Sequence, residues 1–149
     1  MAGRGRAQTT RQGGVRLVAL VAGSLGVLSV VAARLLHRVQ VRGPSMAPAF
    51  EDGDRLVVGP AWGLRKGDVV VLAEPDGAGL LAVKRVAAFE AGSVRVLGDN
   101  LGVSIDSRTY GPVPVGAIRG RVLWRYYPPG RTGRPTRDPH RAGGLEGAL

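Results

Sequence analysis

The chain predicts a mostly β fold, a small antiparallel barrel-like domain preceded by one transmembrane helix. Three observations predict it: a single uncharged apolar run near the start, a succession of short β-rich pieces after it, and glycine, proline or aspartate turns between those pieces.

Residues 1–14 form a basic flank carrying Arg4, Arg6 and Arg11. Leu17 to Ala33 then reads LVALVAGSLGVLSVVAA, seventeen residues without a charge, bracketed by Arg16 and Arg34. At about 1.5 Å per residue this run reaches roughly 25 Å, and Val15, Leu35, Leu36 and snorkelling arginines extend it toward the ~30 Å hydrocarbon core. Residues 15–36 are therefore the expected span. The competing reading is a leader cut after Ala33, although the run exceeds the roughly 7–15 residue apolar core usual in such leaders. Arginines on both sides leave its orientation open.

Residues 37–128 hold the domain. Its expected strands are Val39–Arg42, Arg55–Val58, Asp68–Leu72, Leu80–Ala87, Ser93–Leu97 and Ala117–Tyr127. Turns separate them at Glu51-Asp52-Gly53-Asp54, Lys66-Gly67-Asp68, Pro75-Asp76-Gly77 and Gly98-Asp99-Asn100. Residues 129–149 have too few large apolar side chains to build a core and read as a disordered tail.

Composition removes whole classes of chemistry. With no cysteine there is no thiol catalysis, no disulfide and no Cys-based metal site. The two histidines, His37 and His140, flank the domain, so a Ser-His-Asp triad would require one of them to fold back. The net charge of +10 sits mostly outside the domain: seven arginines and no acid precede Gly43, whereas residues 43–128 are nearly balanced, with ten cations against nine acids. A nucleic-acid surface needs concentrated positive charge, and the middle of the chain lacks that excess, so no nucleic-acid partner is expected.

Lys84 is one of two lysines in a chain with nineteen arginines, and it lies in the apolar run Leu80–Val86. Arginine cannot lose its proton in a protein, so a lysine retained here points to work that needs a neutral amine. Burial disfavours the ammonium form, and the resulting amine can take a proton from a serine hydroxyl near neutral pH. Side chains alternate along a strand, placing Lys84 on one face with Leu80, Ala82 and Val86, and Arg85 on the other. A register slip of one residue would exchange the two. The bland alternatives are compositional accident and an edge lysine that snorkels into water. Lys66 sits in an ordinary turn.

Gly43-Pro44-Ser45-Met46-Ala47-Pro48 offers the matching hydroxyl. Glycine and two prolines stiffen the turn after the first strand, which can expose Ser45 and aim backbone N–H groups at a developing oxyanion.

Four blocks in order, Ser45-Met46-Ala47-Pro48, Gly53-Asp54-Arg55-Leu56-Val57-Val58, Val83-Lys84-Arg85-Val86, and Gly98-Asp99-Asn100 followed by Ser104-Ile105-Asp106-Ser107-Arg108 and Gly111-Pro112-Val113-Pro114, resemble the type I signal peptidase family. The resemblance covers about residues 39–126. It is nearest to the short Gly-Pro-Ser-Met branch that includes inner membrane proteases and nickel-type superoxide dismutase maturation proteases.

That resemblance implies a serine/lysine endopeptidase tethered to a membrane, with residues 37–128 as the peptidase domain. Ser45 would attack the scissile carbonyl and Lys84 would accept its proton. Ser104 would orient the amine, Asp106 and Arg108 would brace the surrounding loop, and the backbone N–H of Ser45 would supply part of the oxyanion hole. Some relatives carry a serine two positions before the nucleophile where this chain has Gly43, and threonine is frequent where it has Ala49. The implied substrates are exported proteins with N-terminal signal or leader peptides, and the implied setting is a single-pass anchor in the cell membrane with the active site on the extracytoplasmic side, against membrane lipid. No metal and no organic cofactor is implied. Rival readings are a dedicated superoxide dismutase maturase, a self-cleaving repressor, and a non-catalytic membrane-tethered binding module.

Overall fold

The computed structural model describes residues 21, 23, 24, 26, 35–75 and 79–138. The expected membrane helix at 15–36 falls largely outside them; Val21, Gly23, Ser24, Gly26 and Leu35 are helical. Among the described residues no helix is long and apolar enough to cross a membrane.

Seven strands form one sheet in which every pairing is antiparallel. They are β1 (His37–Gln40), β2 (Arg55–Gly59), β3 (Val69–Ala73), β4 (Leu81–Glu90), β5 (Ser93–Leu97), β6 (Val113–Pro114) and β7 (Ile118–Tyr127), ordered β1-β2-β7-β3-β4-β5-β6. A four-residue helix, α1 (Ser107–Tyr110), precedes β6. The sheet does not close, which corrects the barrel-like expectation. Its two edges explain why: β1 is four residues long and β6 two, and Pro114 has no N–H to offer a further ladder.

β3 is buried on both faces because Val69 and Val71 point one way and Val70 and Leu72 the other. The first set joins Val83, Leu56, Val58 and Val122 with Met46 and Phe50 from the β1–β2 connection. The second joins Ala82, Val86, Val94, Val96, Val113 and Ile118. Lys84 opposes Val70 across the β3–β4 pair and lies between Ala82 and Val86 on that second face. Each fully buried aliphatic side chain contributes roughly 1.5–3 kcal/mol, so a register slip that turned these rows outward would forfeit most of the core.

Residues 129–138, the start of the polar tail, have defined contacts; the rest of the tail lies outside the described residues. Gly133 exchanges backbone bonds with Arg125 (2.8 and 3.0 Å), Arg131 pairs with Glu51 and Asp54, and Arg137 pairs with Asp68. Ion pairs and backbone bonds hold this segment, which is why apolar content does not announce it.

Candidate active site

The turn carrying Ser45 is fixed at three points. Gly43 has φ +77°, a conformation that L side chains rarely adopt, so serine at this position would be strained. Its N–H donates to Asp52 Oδ1 (2.8 Å). Met46 and Phe50, 0% and 2% exposed, anchor the turn in the first core, with Phe50 N–H donating to Met46 O (2.8 Å). Beneath them the Arg125 guanidinium lies over the Phe50 ring and donates to Ala49 O (2.7 Å) and Asp54 (3.1 Å). Ser45 itself stays half-buried, and its N–H donates to no other group among the described residues.

Lys84 is 3% exposed, and its Nζ donates to Ser104 Oγ at 3.0 Å. Among the described residues no carboxylate bonds it directly. Burial lowers its pKa, opposed by the more distant charges of Glu74 and Asp106 and assisted by Arg108. Asp106, fully buried, caps α1 and binds Arg108 through both oxygens (2.9 and 2.8 Å), while Gly98 N–H donates to Oδ2 (2.9 Å). Burial pushes the Asp106 carboxyl up, but the bonds from Arg108, the Gly98 and Arg108 amides and the Ser104 hydroxyl outweigh it and hold the group well below the usual carboxylate range. Arg108 also reaches Leu101 O (3.0 Å) and Ser104 O (3.3 Å). Lys84, Ser104, Asp106 and Arg108 thus form one continuous chain of bonds.

Gly98 joins this chain to the Ser45 turn. A Cβ on Gly98 would stand 2.1 Å from Ser104 Oγ and 2.6 Å from Ser45 O, so only glycine lets the two loops close over it. Asn100 N–H donates to Ser45 O (3.0 Å), and Ser104 N–H to Asn100 O (3.0 Å).

Ser45 and Lys84 line one groove of about 510 Å³, with residues 38–42 along one wall and Glu74 and residues 80–84 along the other. No hydrogen bond joins Ser45 to Lys84; the Lys84 Nζ bonds Ser104 Oγ instead. All five residues singled out in the sequence therefore fall in one region. Glu74 and Tyr110 were not singled out there, and Gly98 was read only as part of a turn. Glu74 follows β3 as an unremarkable acid in a turn; Tyr110 reads as core. No group of histidines or acids suited to a metal ion occurs among the described residues.

Comparison with known proteins places the chain among peptidases. The family profile described as "Signal peptidase, peptidase S26" matches residues 14–91 and 88–127. The chain belongs to the signal peptidase family. It is 32% identical over 114 residues to human mitochondrial inner membrane protease subunit 1, covering 60% of this chain and 69% of that one. It is 31% identical over 139 residues to mitochondrial ATP-independent inner membrane protease subunit 1a of Arabidopsis thaliana, covering 75% and 83%. Subunit 1 of the Schizosaccharomyces pombe inner membrane protease is 34% identical over 118 residues, covering 62% and 75%.

Proposed function

We propose that this protein is a membrane-anchored serine endopeptidase that removes N-terminal signal or leader peptides from exported proteins with a Ser45–Lys84 dyad. The observation that carries the reading is the buried Lys84 amine, held by a neutral hydroxyl in the same groove as Ser45.

Proton direction gives the dyad its logic. In this reading the Ser104 hydroxyl, which helps hold the Asp106 carboxyl down, turns its proton toward that carboxylate and leaves Oγ to accept from Lys84, so that the lone pair of a neutral amine is available to the groove. As substrate closes the gap, that lone pair takes the Ser45 proton while Ser45 Oγ attacks the scissile carbonyl. The Ser45 N–H, which donates to no other group among the described residues, would meet the developing oxyanion. Collapse of the intermediate expels the new amine, which takes the proton from Lys84 and leaves an ester on Ser45. Water activated by Lys84 then releases the acyl group.

The sheet edges suit an extended substrate. β4 pairs with β5 only from Arg85 onward, so residues 81–84 keep one backbone edge free, and β1 is itself an edge strand. A peptide laid between them would add main-chain bonds on both sides. Membrane association follows the relatives' inner-membrane names. A single-pass anchor in the cell membrane at residues 15–36, with the domain on the extracytoplasmic side and in contact with lipid, rests on the apolar run. No cofactor and no nucleic acid enters this reading.

The test is cleavage of a signal-peptide substrate by Ser45→Ala and Lys84→Ala proteins. Both are expected to be inactive with native circular dichroism, and full activity in either overturns the mechanism.

A further inference from the structure

Glu74 is a half-buried carboxylate that no described cation neutralises. It lines the same groove as Ser45 and Lys84 and forms no ion pair or side-chain hydrogen bond among the described residues. Every other acid in the strand-bearing core that is this well buried is matched: Asp54 by Arg125 and Arg131, Asp68 by Arg121 and Arg137, Asp99 by Arg85, and Asp106 by Arg108.

Its position relative to the chemistry follows from strand register. Ala73 opposes Leu81 and Val70 opposes Lys84, and the Glu74 N–H donates to Leu80 O (3.0 Å), so Glu74 continues the ladder opposite Leu80. Leu80, Ala82 and Lys84 share a face of β4, and their partners Glu74, Leu72 and Val70 share it on the β3 side. Glu74 therefore stands on the Lys84 face, four residues farther along, or about 14 Å at ~3.4 Å per residue. An extended peptide running beside β4 covers that distance in about four residues.

We propose that Glu74 is a specificity-determining residue that selects a lysine or arginine side chain on the substrate about four residues from the scissile bond. The inference rests on the peptidase reading above and adds a subsite to it. A cation placed there gains a charge-assisted bond in a partly desolvated groove, whereas an acid meets like charge. Arg38 and Arg42 on the facing wall lie in the same groove, and Arg38 is engaged with the Tyr126 ring at 5.8 Å.

Pairing has a second consequence at Lys84. The charges acting on that amine are Glu74 and Asp106, which favour its ammonium form, and Arg108, which opposes it. Neutralising Glu74 removes part of the field that keeps Lys84 protonated, so a correct substrate also promotes the free amine.

The experiment uses full-length protein in detergent and three extended peptides that share alanines at the cut and carry Lys, Gln or Glu at the distal position. Binding to the Ser45→Ala protein is measured by fluorescence anisotropy, and cleavage by the unmutated protein. The expected order is Lys, then Gln, then Glu, with Lys favoured over Gln by roughly tenfold, equivalent to about 1.4 kcal/mol. Glu74→Gln is expected to erase the order in both assays and to move the acid limb of kcat/KM for the Gln peptide to lower pH. Glu74→Lys should reverse the order. An order unchanged by Glu74→Gln overturns the subsite while leaving the dyad intact. Cleavage by Ser45→Ala would overturn the dyad instead.

Discussion

Lys84 and Arg85 are adjacent on β4 and almost equally buried, at 3% and 7% exposure, yet their surroundings resolve the cost of burying a cation in opposite ways. Arg85 points to the face where charge is matched: two bonds to Asp99 (2.7 and 2.6 Å) and two to the carbonyls of Gly67 (2.8 Å) and Thr136 (2.6 Å). Among the described residues Lys84 bonds only a serine hydroxyl, and its acids act from farther away. A guanidinium cannot shed its proton, so it must be paired; an amine can, and burial lowers the Lys84 pKa. Pairing turns Arg85 into scaffold, and a buried amine with no ion pair among the described residues is what the proposed base requires.

The sharpest way to break this contrast is Lys84→Arg, which keeps the charge and abolishes the base. Its kcat/KM should fall roughly 10²–10⁴-fold, the usual contribution of a general base. Near-normal turnover would refute the distinction between the two cations. On the other face, Arg85→Ala leaves Asp99 buried without its partner and should cost about 3–5 kcal/mol in urea unfolding. Adding Asp99→Ala should recover part of that loss, because it removes the stranded charge. If the double variant is no more stable than the single, the pair is not acting as a unit.

Gly98→Ala sharpens the comparison differently, because it touches only the loops that bring Ser104 and Ser45 together. A Cβ 2.1 Å from Ser104 Oγ must displace it, so the variant should lose about 1–3 kcal/mol of stability and a larger share of activity. Equal activity at saturating substrate would mean the loop relaxes without disturbing the amine.

The pH dependence follows from the same asymmetry. Lys84 in the native state has a pKa below the ordinary 10.5, so between that lowered value and 10.5 the unfolded chain holds a proton that the native chain does not. Stability therefore rises with pH across that window, and kcat/KM rises through the lowered pKa as the base is freed. Asp106 acts in the same sense at the acid end: its folded pKa lies below 3.8, so its contribution is full above 3.8 and is lost as acid titrates it in the native state. Lys84→Met should flatten the alkaline rise and leave the acid loss in place, as urea midpoints measured from pH 3 to 10 would reveal.

Much of the contrast was legible in the sequence, and what was missed has physical reasons. Alternation along β4 placed Lys84 with Ala82 and Val86 because a period of two leaves no freedom once Val70, Leu72 and Val86 must be buried. The first strand was expected at Val39–Arg42 and is found at His37–Gln40, although Val41 N–H still donates to Asp54 O (2.8 Å) past the strand's end. α1 was missed because one turn held by the Asp106 side chain shows no helical periodicity. Open versus closed topology depends on whether edge strands reach each other, and local patterning does not encode that. The ties from Arg131 and Arg137 to Asp54 and Asp68 span 69 or more residues, beyond any local signal.

The smallest expected effect concerns a third buried polar group, the Tyr110 hydroxyl, which has no hydrogen-bond partner among the described residues. Burial, then Asp106 and Glu74, push its pKa up to about 12, so unlike Lys84 it cannot escape its site by changing protonation, and it remains a neutral donor without an acceptor. Such a group costs roughly 1–3 kcal/mol, and phenylalanine would keep the ring against the second core while removing that cost. Tyr110→Phe should therefore raise stability by about 1 kcal/mol, read as a Tm several degrees higher. A lower Tm would mean that the hydroxyl is bonded in solution, to a buried water for instance. A higher Tm with reduced kcat would mean that the hydroxyl serves catalysis at a cost in stability.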